Sequence, residues 1–256
     1  MKISGVIITR NEENHIFDAV KNLFRVCDEV VVVDSGSTDK TEELAKKAGA
    51  RFIYNQWPGY VEQRNFCHTV TENDWLLVLD ADERLSDSLV KEIEKLKKSG
   101  FDEDIKGFEF FRNLYFLGKA FKNNRFTCEK KIRLYNKNYG QWVGGRVHEN
   151  IKIDGKVKTI PKFIDHYPYP SIEFAVEKLN KYAYLMARDR FDKGKTIGLL
   201  GLNLRIFFTF FKKYILDLKF LKGTAGFILA KIETNYTFLK YAKLYELNKK
   251  KEKENE

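Results

Sequence analysis

The chain has 256 residues, of which 43% are hydrophobic and 32% charged, the composition of a soluble globular protein rather than a disordered one. That length holds one ample core, or a compact domain with a smaller appendage, and excludes two full-sized catalytic domains. The net charge of +10 is uneven: residues 1–100 carry 14 Lys and Arg against 18 Asp and Glu, and residues 101–256 carry 32 against 18. The second half is therefore expected to meet something anionic, or else to present a lysine-rich solvated face.

Residues 3–8 form a short apolar run, after which Asn11 is placed to cap a helix carrying Ile16, Ala19, Val20 and Leu23 at helical spacing. The order repeats with a buried strand from Glu29 to Val33, a loop from Asp34 to Ser37, and a helix with Thr41, Leu44, Ala45 and Ala48 inward, ended by Gly49. Arg51 to Tyr54 reads as a third strand, Val61 to Val70 as a helix, and Trp75 to Leu79 as a fourth strand. Ser86 or Ser88 then caps a helix running to Lys98. Strands alternating with helices predict an α/β fold with a parallel sheet, whose ligands bind at the carboxyl ends of the strands.

Past residue 105 the alternation gives way to β-rich segments at Gly107 to Phe111, Ile132 to Tyr135, Trp142 to Ile153 and Lys158 to Ile164. From Ser171 the pattern is helical, with Ile172, Ala175, Val176, Leu179, Ala183 and Met186 on one face. A basic, aromatic tail follows. Cys27, Cys67 and Cys128 are odd in number, scattered and without CxxC spacing, which fits a reducing compartment. Met1 leads straight into the first strand, so no signal peptide is expected. The apolar stretch from Ile197 to Phe211 is broken by Arg205 before the ~20 residues a membrane span needs.

Chemistry concentrates at the strand ends. Asp80, Ala81 and Asp82 directly follow the fourth strand, and alternate residues of an extended segment share a face. Two carboxylates there suit a hard divalent cation that takes its other oxygens from a diphosphate; a turn stabilised by Asp is the alternative. Asp34, Ser35, Gly36, Ser37, Thr38 and Asp39 follow the second strand, where an Asp can accept hydrogen bonds from a base or ribose, although Ser37 and Thr38 also suit plain helix caps. Thr9, Arg10, Asn11 and Glu12 end the first strand, with Arg10 either meeting a phosphate or standing as a solvated charge.

The series Val-Ile-Ile-Thr-Arg-Asn-Glu-Glu (6–13), Val-Val-Asp-Ser-Gly-Ser-Thr-Asp-Lys-Thr (32–41) and Leu-Asp-Ala-Asp-Glu-Arg (79–84) resembles the family 2 inverting glycosyltransferases. Within them it is most similar to the bacterial lipopolysaccharide-core glucosyltransferases, which share Trp57, Gly59, Gln63, Asn65 and a downstream Arg-Val-His-Glu ending at Glu149. The resemblance implies a GT-A fold with a mainly parallel sheet and a C-terminal helical extension. It implies a nucleotide-diphosphate sugar donor, UDP-glucose being favoured, and Mg²⁺ or Mn²⁺ held chiefly by Asp82. Thr9, Arg10, Asn11, Glu12, Asp34, Ser35, Gly36, Gln63, Asn65, Asp80, Ala81 and Arg133 then fall on the donor side, with Asp34 at the uracil or ribose and Asp80 near the ribose and metal. Residues 1–100 become the nucleotide-sugar half and 101–170 the acceptor half of a catalytic domain, with 171–256 as an amphipathic helical region.

Inversion needs a general base to deprotonate the acceptor hydroxyl. Glu149 is the first candidate, with pairing to Arg146 as its structural alternative, and Glu129 is the second. Arg133 either faces the diphosphate or caps a strand edge. His148 and His166 are the histidines placed to complete a metal shell or orient a phosphate, with His166 expected as a metal ligand beside Asp80 and Asp82.

In the tail, Phe207, Phe208, Phe210, Phe211, Tyr214, Phe220 and Phe227 stand among Arg205, Lys212, Lys213, Lys219, Lys222 and Lys231. Such helices suit an anionic membrane surface, which predicts a cytoplasmic enzyme peripheral on the inner face of the bacterial cytoplasmic membrane, acting on a lipid-linked or glycan acceptor. Packing within the chain, or a homo-oligomer through these helices, is the alternative. A non-catalytic sugar-nucleotide binder or scaffold remains a rival. A nucleic-acid binder lacks a recognition motif, so no nucleic-acid partner is expected, and a dinucleotide-dependent oxidoreductase lacks GxGxxG after the first strand.

Overall fold

The computed structural model describes residues 1–121, 129–144 and 149–254. The chain divides into two compact units, Met1–Asn113 with Glu129–His166, and Leu114–Cys128 with Tyr167–Glu256.

In the first unit, β1 (Ile3–Thr9), α1 (Ile16–Leu23), β2 (Glu29–Asp34), α2 (Thr41–Lys47), β3 (Arg51–Tyr54), α3 (Tyr60–Val70) and β4 (Trp75–Asp80) follow the predicted alternation. A short β5 (Glu83–Leu85), missed in the sequence reading, precedes α4 (Asp87–Ser99), whose first turn is capped by the Ser86 hydroxyl accepting from the Leu89 N–H. The remaining strands are β6 (Ile105–Phe116), which continues into the second unit, β7 (Lys119–Phe121) in that unit, and then β8 (Lys130–Asn136), β9 (Gly140–Gly144), β10 (Glu149–Ile153) and β11 (Lys156–His166) back in the first.

The principal sheet of the first unit runs β3-β2-β1-β4-β8-β6-β11-β5. Its first four strands are parallel, and β8 joins β4 antiparallel, so the sheet is mixed. Because β1 lies between β2 and β4, the chain reverses its winding direction there, and the register sets Thr9 opposite Asp34 and Ile8 opposite Asp80. Three loop entrances thus share one carboxyl edge, the crevice where such sheets take ligands.

The near-continuous apolar runs of β1, β2 and β4 are explained by burial on both faces. Ile3, Ile7, Val32, Leu77 and Leu79 pack with Ile16, Ala19, Val20 and Leu23 of α1 and with Leu89 and Ile93 of α4. Val6, Val31, Val33, Leu76 and Val78 pack on the other face with Cys67, Tyr135 and Trp142. Trp142 belongs to a separate hairpin, because the segment expected as one β-rich stretch from Trp142 to Ile153 is instead two antiparallel strands, β9 and β10, with Trp142 opposite Ile151.

Asn11 is not the cap of α1. His15 holds the cap position, and Asn11 sits at φ 56°, its side-chain carbonyl accepting from the Thr38 N–H. Asn11 tolerates this left-handed backbone, and the loops after β1 and β2 gain a mutual latch from it.

The second unit holds α5 (Ile172–Asp192), α6 (Leu199–Phe211) and α7 (Thr224–Glu254), with a π-helical turn at Lys212–Leu216 and a 3-10 turn at Lys219–Lys222. The inward face of α5 holds Ala175, Leu179 and Ala183 of the expected set together with Ala187, but Ile172 and Val176, also expected there, are exposed. Ala175 lies in one cluster with Ala225, Leu229 and Ile232 of α7, and Ala187 in another with Tyr241 and Leu244. Small side chains let the two helix backbones approach, and that close packing outweighs burial of the larger residues. No helix among the described residues is long and apolar enough to cross a membrane.

Gly5 sits in a close approach between β1, Leu23 and the Cys27 turn, since an added Cβ would lie 3.1 Å from Cys27 Sγ and 3.2 Å from both Leu23 Cδ1 and Val30 Cγ2. Gly5→Val is expected to lower unfolding free energy by about 1–3 kcal/mol through overpacking, read as a drop in the urea midpoint with unchanged slope.

Candidate active site at the carboxyl edge of the parallel strands

The loops after β1 and β2 are fastened to one another by polar groups. The N–H groups of Asn11, Glu12 and Glu13 donate to Ser37 Oγ, Thr41 Oγ1 and Asp39 Oδ2 at 2.8, 2.8 and 3.1 Å. The Ser35 N–H and hydroxyl reach the Thr9 carbonyl at 3.1 and 3.2 Å. Asp34 is buried, and its Oδ2 accepts from the N–H groups of Gly36 and Ser37 at 2.7 and 2.8 Å, a turn that Gly36 permits by its φ of 99°. Among the described residues the buried Thr9 hydroxyl has no hydrogen-bond partner. Thr9, Asn11, Glu12, Asp34, Ser35 and Gly36 are therefore brought together in one rigid corner, with Arg10 exposed on its outside.

At the end of β4, the acidic triplet divides its labour. Asp80 Oδ1 accepts from Arg64 Nη2 at 2.6 Å, and Oδ2 from Arg133 Nη2 at 2.7 Å. Burial alone would raise the Asp80 pKa, but the charges of Arg133 and Arg64 outweigh it and hold the carboxyl well below its ordinary 3.8. Ala81 is buried and lends its carbonyl to Arg84. Asp82 Oδ2 lies 3.4 Å from His166 Nε2. That proximity is a product of pairing, because β11 runs antiparallel to β5 with His166 opposite Glu83.

Arg133 reaches Asp80 from a β-bulge. Phe108 pairs with Leu134 and Glu109 with Ile132, which leaves Arg133 as the extra residue of β8, and a bulge re-aims its side chain. The same guanidinium donates to Glu83 Oε1 at 2.7 Å, and Arg112 approaches that oxygen at 3.3 Å. The other Glu83 oxygen accepts from the Asp80 N–H at 3.1 Å. Glu83 is fully buried, so this is an interior network of alternating charge. Burial alone would lower the Arg133 pKa, but the charges of Asp80 and Glu83 outweigh it and raise it, so the guanidinium stays protonated.

The two candidate bases are placed differently. Glu149, at the start of β10, lies 3.6 Å from Arg64 Nε. It lines a cleft of about 290 Å³ together with Arg64, Asp80, Arg133 and Trp142. Glu129 pairs with both Arg112 and Lys131, and although burial raises its pKa, those two cations lower it overall. Arg146, the proposed partner of Glu149, and His148 lie outside the described residues, as does Cys128.

Gln63 and Asn65 serve the frame. Gln63 Oε1 accepts from Asn55 Nδ2 at 2.7 Å, and Asn65 exchanges two 3.0 Å hydrogen bonds with the backbone of Trp142. Trp142 is further fixed by donating to Tyr135 Oη at 2.8 Å, which is 2.9 Å from His68 Nε2. Burial, aided by Lys137, pushes the His68 pKa down to about 4, so the imidazole that meets the tyrosine hydroxyl is neutral. Trp142 in turn stacks on Arg64, whose guanidinium carbon is 4.6 Å from a ring centroid. Arg64, Glu83, Arg112 and Trp142 were not among the site residues expected from the sequence, although Glu83 stands within the Leu-Asp-Ala-Asp-Glu-Arg motif at 79–84.

A parallel sheet with an acidic triplet at its switch-point edge, completed by antiparallel strands that return His166 and Arg133 to it, is the GT-A arrangement, and residues 4–151 match the Glycosyl transferase family 2. The chain belongs to that family and is a glycosyltransferase. It is 34% identical over 97% of its length to an uncharacterised glycosyltransferase of Rickettsia typhi, covering 88% of that protein. It is 30% identical over 96% of its length to the lipopolysaccharide core biosynthesis glycosyltransferase LpsC of Rhizobium meliloti, covering 93% of it. Among solved structures, glucosyl-3-phosphoglycerate synthase from Mycobacterium tuberculosis, in complex with Mn²⁺, uridine diphosphate and glucosyl-3-phosphoglycerate, aligns at 27% identity over 43% of this chain and 44% of that one, with a TM-score of 0.37.

The lowered pKa of Asp80 makes it a source of stability that is fully present above the unfolded carboxylate value and lost as pH falls through the folded one. The stability difference between wild type and Asp80→Asn is expected to stay constant from pH 7 to about 4 and to shrink only below that, as urea titrations at stepped pH will register. A difference that already shrinks between pH 6 and 5 contradicts the arginine clamp.

Proposed function

We infer that this glycosyltransferase moves a sugar, with inversion, from a nucleotide-diphosphate donor to a glycan of the bacterial cell envelope, with UDP-glucose as the favoured donor and lipopolysaccharide core as the favoured acceptor. The observation that carries this reading is the Asp82–His166 pair beside the clamped Asp80, at the edge shared with the Thr9 and Asp34 loops. The acceptor class is supported by the end-to-end similarity to LpsC. A lipid-linked acceptor of this kind would set the enzyme at the inner face of the cytoplasmic membrane.

A divalent cation fits this donor set in one way. Among the described residues no three His, Cys, Asp or Glu side chains are arranged to hold a metal ion, and both Asp80 oxygens are occupied by guanidinium groups. Asp82 and His166 would hold Mg²⁺ or Mn²⁺, with the remaining sites left to diphosphate oxygens and water. Such an ion supplies charge neutralisation of the leaving diphosphate. Asp34, in its fixed turn, is proposed to receive the nucleoside, and Asp80 to hold Arg64 and Arg133 in place along the cleft.

Glu149 is the proposed base. It takes the proton of the acceptor hydroxyl as that oxygen bonds to the anomeric carbon and the bond from that carbon to the diphosphate breaks on the opposite side. Glu129 is less suited, since its two cationic partners stabilise the carboxylate and weaken it as a proton acceptor.

UDP-glucose and Mn²⁺ together are expected to raise the melting temperature more than either alone, and Asp82→Ala to remove the metal-dependent part. Absence of any shift across a panel of nucleotide sugars sinks the donor assignment. Glu149→Gln is expected to cut kcat by about 10²- to 10⁴-fold with the donor KM little changed. An equal loss in Glu129→Gln with full activity in Glu149→Gln would transfer the role.

A further inference from the structure

The second unit carries apolar surface that its own packing leaves uncovered. α6 has no buried residue, and Leu200, Phe207 and Phe208 are 73, 64 and 61% exposed. At 3.6 residues per turn, Leu200, Leu204, Phe207, Phe208 and Phe211 fall within an arc of about 100°. Leu202, on the far side, packs against the cluster of Ala187, Tyr241 and Leu244, so the helix is docked by one face and presents the other. The surface continues through the following turns, where Leu216 and Leu221 are 55 and 66% exposed. A contiguous apolar surface of this kind marks an interaction site rather than ordinary scatter.

Charge identifies the occupant. From Lys193 to Ile232 the sequence carries eight Lys and Arg and a single acidic residue, Asp217. Lys213 and Lys219 turn inward to Glu233, whereas Lys212 and Arg205 border one edge of the apolar arc by helical position, Arg205 with its guanidinium carbon 4.8 Å from the Tyr241 ring centroid. A second copy of this chain would bring the same positive rim against itself. An anionic bilayer instead accepts the aromatic and leucine side chains among its acyl chains and the cationic rim among its headgroups. At 13 residues, α6 is about 20 Å long, too short to cross a hydrocarbon core of about 30 Å.

We propose that the exposed face of α6, extended by the turns at Lys212–Leu216 and Lys219–Lys222, is an interfacial docking surface for anionic lipid, lying in the membrane plane. This deepens the reading of a lipid-linked acceptor by naming the surface that would bring the enzyme to it, and it rests on that reading only for its purpose. The test is flotation of the full-length protein with vesicles of phosphatidylglycerol and phosphatidylcholine, or of phosphatidylcholine alone. Wild type is expected to float with the anionic vesicles, at least tenfold less with neutral ones, and less as salt rises. The double variant F207E/F208E is expected to lose at least tenfold of that binding while keeping its circular dichroism spectrum and its rate of UDP-sugar hydrolysis. Failure of wild type to float with anionic vesicles, or undiminished flotation of the variant, overturns the proposal, as does a wild-type dimer that the variant dissolves without any vesicle binding. Hydrolysis absent from both proteins while flotation behaves as stated would refute the donor reading and leave the lipid surface standing.

Discussion

Asp80 is held between Arg64 and Arg133, and the first unit is organised around that clamp. Arg64 comes from α3 in the parallel half and Arg133 from β8 in the antiparallel half, so one carboxylate at the end of β4 ties the two halves at the point where the acidic triplet begins. The cost of burying charge explains the surrounding residues. Arg64 and Arg133 have side chains only 4% exposed, and an unpaired guanidinium in that setting would cost several kcal/mol. Glu83 answers this need by taking a hydrogen bond from Arg133 and from the Asp80 backbone, and Arg112 balances Glu83 in turn.

The clamp also separates chemical roles within a triplet whose two carboxylates look equivalent in sequence. Asp80, with both oxygens committed, positions the arginines of the cleft. Asp82, one residue past Ala81, sits beside His166. The backbone of β4 ends between them, so a shift of either arginine would pass directly to the residue proposed to meet the metal and diphosphate. The β9–β10 hairpin is tied to the same centre by Asn65 and by the stack of Trp142 on Arg64, which gives Glu149 a fixed wall to stand on although it is remote in sequence from β4.

Much of the first hundred residues was legible because local patterns and tertiary demands coincide there. The four inward residues of α1, the limits of β3 and the end of α2 at Gly49 follow from apolar spacing and cap chemistry alone, since a parallel strand buried on both faces and an amphipathic helix each have a distinctive period. Legibility failed where a side chain is governed by a partner distant in the chain. Asn11 has the composition of a helix cap but spends its amide on the β2 loop. The large apolar residues Ile172 and Val176 have the right spacing to be inward, but the closeness of α5 to α7 selected the alanines.

By itself the sequence determined the α/β alternation, the carboxyl edge as the place of chemistry, the three strand-end motifs and, through them, the family. Those features depend on residues near one another in the chain, where spacing and composition are sufficient. Only the tertiary structure decided that Asp80 would be clamped, that His166 would return to Asp82 through the β5–β11 pairing, and that a bulge would aim Arg133 inward. These contacts join residues remote in the chain, Asp80 with Arg133 and Asp82 with His166, and the energies that set them are those of buried charge and sheet packing, which leave no period in the sequence.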